Sequence, residues 1–147
     1  MKPLDSNSII QVGIVVKDVE KAAKLYSELF GIEMPVIRPA FPEITYRGQK
    51  VHTHSKLCSF QMGNVALELI EPDEGPSSWR EFLQAHGEGV HHLGVIVNDL
   101  EGALQTLKEH DIDKRQYGGA QWGSYTIVDS GALGVLLNVK CKKPFCG

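Results

Sequence analysis

The sequence predicts an α+β fold built from two pseudo-symmetric modules, and three observations carry that expectation. A strand-then-helix segment is written twice: Gln11-Val12-Gly13-Ile14-Val15-Val16-Lys17-Asp18-Val19-Glu20-Lys21-Ala22 returns as His92-Leu93-Gly94-Val95-Ile96-Val97-Asn98-Asp99-Leu100-Glu101-Gly102-Ala103. Each copy leads into a helix with one apolar face. Each half then closes on an apolar strand interrupted by a single polar residue, Glu68 within 65–70 and Asn138 within 135–139.

Taken in order, residues 9–16 are apolar and β-branched, too short for a core helix, and end at Asp18, which suits a helix N-cap. The helix runs to about Phe30, with Val19, Ala22, Ala23, Tyr26, Leu29 and Phe30 on one face and Gly31 as its left-handed stop. A stretch with Pro35, Pro39 and Pro42 follows, then strands at 44–46, 56–62 and 65–70, the last two joined by a Gly63-Asn64 hairpin turn. The polar turn 71–76 leads to a short helix over 78–86, with Ser78 and Glu81 spaced as a capping box and Gly87 closing it. In the second half Leu100, Ala103, Leu104 and Leu107 form the helical face, and 122–128 and 135–139 are the clear strands. The expected organisation is one domain over 1–147: module one 8–72, linker helix 73–88, module two 89–141.

Composition limits what the chain does. A net charge of −3 without a long basic run argues against nucleic acid, which demands clustered Lys and Arg. No apolar run approaches the ~20 residues that span a bilayer, and residues 1–6 lack a signal-peptide core. The expectation is a soluble cytoplasmic protein with a small-molecule partner and no membrane. Three cysteines cannot all pair internally. Cys141 and Cys146 are close enough in sequence for a disulfide or part of a metal clip, without further clustered ligands.

Strand alternation puts Gln11 on one face with Gly13 and Val15. Glycine weakens a strand by roughly 0.5–1 kcal/mol relative to alanine. Its recurrence as Gly13 and Gly94 marks a need for room beside Gln11 and His92, for a substrate or for close packing. Glu68 inside an apolar strand needs a cation, strong donors or water. Gln11, Glu68, His92 and Asn138 occupy repeat-matched positions, as one metal shared by two modules would require. The alternative is strand-end amides, a carboxylate at a cleft mouth and a hydrogen-bonded core histidine. Adjacent His91 is expected on the opposite face from His92, packed or solvent-facing.

On these residues, and on Glu68-Leu69-Ile70-Glu71-Pro72, Phe82-Leu83-Gln84 and Gly87-Glu88-Gly89-Val90-His91-His92-Leu93, the chain resembles the vicinal-oxygen-chelate superfamily. This group contains glyoxalase I, methylmalonyl-CoA epimerase, extradiol dioxygenases and bleomycin-resistance proteins, and the segments look most like the epimerase. The resemblance implies two βαβββ modules forming an incomplete eight-stranded barrel cup. It also implies a divalent metal (Zn, Ni, Co, Mn or Mg) on Gln11, Glu68, His92 and Asn138, and a homodimer. Asn138 departs from the usual glutamate, and an amide cannot take a proton from carbon. The His-Pro-Lys segment common before the last epimerase strand is absent, Ile127-Val128-Asp129 standing there. The implied activity is that of a metal-dependent isomerase or lyase shifting a proton through an enolate. Glu43, Tyr46, His52 and His54 are the candidate bases. The competing reading is a metal-free small-molecule binder of bleomycin-resistance type. Extradiol cleavage is disfavoured by Gln11 in place of histidine, and a tandem ferredoxin-like fold by having one convincing helix per module.

Overall fold

The computed structural model describes residues 2–120 and 123–141. Ten strands and three α-helices follow in the order β1 (Ile9–Val15), α1 (Val19–Phe30), β2 (Arg38–Pro39), β3 (Glu43–Tyr46), β4 (Gln49–His52), β5 (Lys56–Met62), β6 (Val65–Glu71), α2 (Ser78–His86), β7 (Gly89–Val97), α3 (Leu100–Glu109), β8 (Lys114–Ala120), β9 (Gly123–Val128) and β10 (Leu136–Cys141). The strands form one curled open sheet in the order β2-β5-β6-β1-β7-β10-β9-β8-β3-β4. The α+β cup is therefore the expected fold.

The repeat sits at the centre of this sheet. β1 and β7 run antiparallel side by side, and each takes the last strand of its own half as a parallel neighbour, β6 on β1 and β10 on β7. Two helices cover the convex face at equivalent places. α1 packs Val19 and Ala23 on Val16, Cys58, Phe60 and Leu69; α3 packs Ala103 and Leu107 on Val95, Val97, Val128 and Val139. Both helices start alike, with Asp18 accepting from the Lys21 N–H and Asp99 from the Gly102 N–H, each at 3.0 Å.

Several details differ from the sequence reading. The expected apolar face of α1 fails at its end, where Leu29 is 71% and Phe30 55% exposed, because the sheet lies under only the first turns. The cap of α2 is Ser77, whose Oγ accepts from the Arg80 N–H, rather than Ser78. Strands β2, β4 and β8 carry polar, Gly and Pro residues that hide their period. The β3–β4 hairpin, written in the first half, pairs with β8 of the second, Ile44 opposite Gly118. The chain between β2 and β3 thus crosses the mouth of the cup from one sheet edge to the other. Trp122 and Cys146 lie outside the described residues.

Candidate metal and ligand site

Four strands deliver the four expected residues to one place. Gln11 Nε2 donates to Glu68 Oε2 at 3.3 Å, His92 Nε2 lies 2.9 Å from Gln11 Oε1, and Asn138 Nδ2 donates to the same Oε1 at 3.1 Å. Glu68 Oε1 is 3.6 Å from His92 Nε2. Gln11, His92 and Asn138 are buried, and Asn138 Oδ1 is buried without a hydrogen-bond partner. An orphaned acceptor of this kind costs on the order of 1–3 kcal/mol and is a place where a cation or water fits.

The backbone explains the convergence. Gln11 pairs with Gly94 and Gly13 with His92, so each site residue faces the other module's glycine. A Cβ on Gly13 would fall 2.1 Å from His92 Cε1, and one on Gly94 would fall 2.6 Å from Gln11 Cβ. The room marked by the two glycines holds the side chains of the site itself. Gly13 also neighbours Glu68, and Gly94 neighbours Asn138, in the parallel pairs. The register shifts between Ile9 and Gln11, and again between Gly13 and Ile14 where His91 is the extra residue.

That second bulge corrects the expectation for His91. Regular alternation would put it opposite His92; instead the two rings meet edge to face, with Nδ1 atoms 2.8 Å apart and both residues 1% exposed. One proton lies between the two Nδ1 atoms, one ring donating and the other accepting. Burial depresses both, His91 to about 4 and His92 well below the ordinary histidine range. Burial also raises Glu68, with Lys140 and Arg38 pulling the other way.

Above the four residues opens a cavity of about 620 Å³. Its wall includes Phe41, Trp79 and Tyr125, the Phe41 and Tyr125 rings stacked at 6.0 Å. Gln116, fully buried, fixes this wall: its Oε1 accepts from the Ser78 N–H at 2.7 Å and its Nε2 donates to Tyr125 Oη at 2.9 Å. Gly118 leaves space for the Tyr125 ring, since a Cβ there would come within 2.8 Å of it. Lys140 could have been found by sequence, two residues after Asn138 on one strand face. Arg38 and Phe41 could not, sitting in an irregular stretch.

The candidate bases lie elsewhere. Tyr46 Oη donates to Glu81 Oε2 at 2.7 Å, Glu43 Oε1 and His52 Nε2 are 3.7 Å apart and both exposed, and the His54 N–H donates to Asp73 Oδ2. None of them lines the cavity. Among the described residues no three His, Cys, Asp or Glu side chains group as a metal cluster, because two members of the set are amides.

A curled sheet of paired modules with four convergent polar residues on its concave side defines a two-module cup around a cavity of about 620 Å³. Residues 10–125 match the model of the glyoxalase/bleomycin resistance protein/dioxygenase superfamily, and the chain belongs to that superfamily. It is 31% identical over 106 residues to the Bacillus subtilis protein YqjC, itself uncharacterised, covering 72% of this chain and 69% of that protein. It is 31% identical to the human mitochondrial methylmalonyl-CoA epimerase over 103 residues, 69% of this chain but only about half (52%) of that protein's length. The Mycobacterium tuberculosis methylmalonyl-CoA epimerase has the same fold, with a TM-score of 0.65, 19% identity, and coverage of 98% of this chain and 93% of that one. Among the described residues no helix is long and apolar enough to cross a membrane.

Proposed function

We propose that this chain is an isomerase or lyase of the glyoxalase or epimerase type, holding a divalent metal on Gln11, Glu68, His92 and Asn138 and moving a proton beside a carbonyl of a small substrate. The observation that carries this reading is the meeting of those four side chains from four strands, with Asn138 Oδ1 buried and unpartnered. The donor set suits a divalent ion: one imidazole nitrogen, one carboxylate and two amide oxygens. When bound, such an ion is a Lewis acid for a carbonyl oxygen.

The protein groups have separable tasks. Burial keeps His92 neutral; in the metal-free network its Nε2–H donates to Gln11 Oε1, and ligation through Nε2 would use the other tautomer, with the shared proton on His92 Nδ1 and donated to His91. Asn138 would hold the ion through its unpartnered Oδ1, and an amide cannot take a proton from carbon. Glu68 is the carboxylate among the described residues lining the cavity, and so the group placed to accept one. Phe41, Trp79 and Tyr125 exclude water from the same space.

The metal-free binder remains a second reading because Gln11 satisfies three neighbours at once, a network complete enough to stand without an ion. Metal content and divalent-ion titration of the wild type beside Glu68→Ala and His92→Ala separate the two. One metal per chain, weakened at least about 100-fold in both variants, supports the enzyme. Deuterium uptake from solvent into acyl-CoA thioester or hemithioacetal probes then tests turnover. Absence of metal at millimolar ion would leave the binder.

A further inference from the structure

The cavity carries more recognition chemistry than the four-residue floor uses. Two cations line it, Arg38 and Lys140, and neither is in an ion pair or side-chain hydrogen bond among the described residues. The indole of Trp79 is 4% exposed, and its Nε1–H is buried without an acceptor. The remaining lining is flat and apolar: Phe41 stacks on Tyr125 with 7° between ring planes, and Trp79 lies 6.0 Å from Tyr125.

We propose that the cup takes a small arylcarboxylate, its anion met by Arg38 and Lys140 and its ring laid against Phe41 and Tyr125. Without a metal, two cations against the single carboxylate of Glu68 leave the described lining one unit positive, which matches a monoanion rather than a phosphate ester dianion. Lys140 belongs to the floor as well as the wall: it is two residues beyond Asn138 on β10, hence on the same strand face, and pairs across with Tyr125. Arg38 comes from the opposite side, on β2 beside Leu57. A ligand spanning the cup therefore meets charge from both modules. Arg38 and Lys140 both act on Glu68 electrostatically, so they are near enough to a ligand on the floor to steer it. The volume, about 620 Å³, is that of an ordinary small-molecule pocket.

The proposal refines the substrate side of the proposed function and does not depend on the metal. Calorimetric titration of the whole chain, with and without zinc, uses phenylacetate, its neutral isostere phenylacetamide, ringless acetate, and phenyl phosphate. In the zinc-free titrations phenylacetate is expected to bind at least 10-fold more tightly than the amide, than acetate and than phenyl phosphate. Arg38→Gln and Lys140→Gln, which remove unpaired side chains, should each weaken phenylacetate about 10-fold and leave phenylacetamide unchanged. Equal binding of phenylacetate and phenylacetamide, preference for phenyl phosphate, or indifference to both cation variants would overturn the proposal. Zinc binding without any phenylacetate binding overturns this inference alone, whereas phenylacetate binding without zinc overturns the metal reading alone.

Discussion

The two halves of the site share a backbone and differ in chemistry. In each half a bulge precedes the first site residue, a glycine follows two positions later, and a parallel strand brings a polar residue beside that glycine. Yet the first half supplies Gln11 and Glu68, an amide and an acid, and the second supplies His92 and Asn138, an imidazole and an amide. The bulge before Gln11 carries Ile10; the bulge before His92 carries His91. Symmetry therefore fixes where four side chains meet, and the sequence of each half decides what they can do there.

The glycines offer the sharpest way to break the comparison. Gly13→Ala drives a Cβ into three atoms of the buried His92 ring, at 2.1–2.6 Å, and should cost on the order of 2–3 kcal/mol in chemical denaturation. Gly94→Ala meets Gln11 at its Cβ, 2.6 Å away, and should cost a similar amount. The rescues differ. His92→Ala removes the clashing ring and should recover most of the Gly13→Ala loss in a double-mutant cycle. Gln11→Ala keeps the offending Cβ and should recover little of the Gly94→Ala loss, whereas Gln11→Gly should recover it. Equal rescue by both alanines would contradict the packing described.

His91 makes the bulge of the second half pH-sensitive, whereas the bulge of the first half carries Ile10, which does not titrate. In the unfolded chain a histidine takes up its proton near pH 6.5, whereas buried His91 does so only at about 4. As pH falls through that window the unfolded state binds more protons, so stability present above pH 6.5 is lost, by on the order of 3 kcal/mol at pH 4. His91→Ile, which gives the second bulge the residue of the first, should flatten much of that slope in urea titrations between pH 6.5 and 4. His92 leaves a residual slope, its pKa being depressed as well. An unchanged slope would refute the assignment.

The acid–amide difference between Glu68 and Asn138 trades stability against binding. Burial raises the Glu68 pKa, so its contribution is fully present below the ordinary carboxylate range and is lost as pH rises through the raised value. Glu68→Gln should therefore stabilise metal-free protein at pH 7, by about 1 kcal/mol, with the gain vanishing near pH 4. The same change should abolish metal binding. Asn138→Asp, which makes the halves alike, should do the reverse: a lower melting temperature without metal and tighter divalent-ion binding.

Much of this was legible because repeats expose themselves. The strand-helix segment, both Asp caps, both glycines and the four convergent residues were all readable by matching one half to the other. The bulges were not, since no residue in Ile10 or His91 announces an extra position; the pairing that defines a bulge belongs to two strands at once. β3 was readable as a strand at 44–46, but its hairpin partner β4 and its pairing with β8 were hidden, because β8 lies some seventy residues on and carries Gln116, Gly118 and Gly119 where an apolar period would be expected. Long-range pairing, rather than local propensity, decided those elements.

The helix caps give the smallest test and a direct one. Asp18 and Asp99 each accept one N–H at 3.0 Å, and each opens a helix that covers its own half of the convex face. Replacing either by alanine should cost about 1 kcal/mol. The third helical residue differs: Lys21 follows Asp18, whereas Gly102 follows Asp99, and a Cβ there would fall 2.3 Å from Asp99 Oδ2, so the capping carboxylate would have to move. Gly102→Ala should therefore cancel the usual alanine-for-glycine gain of roughly 1 kcal/mol in a helix by pushing the cap away. In the Asp99→Ala background, where that carboxylate is gone, the same substitution should become stabilising. A gain from Gly102→Ala with Asp99 intact would show that the cap can move aside and that the two halves need not begin their helices in the same way.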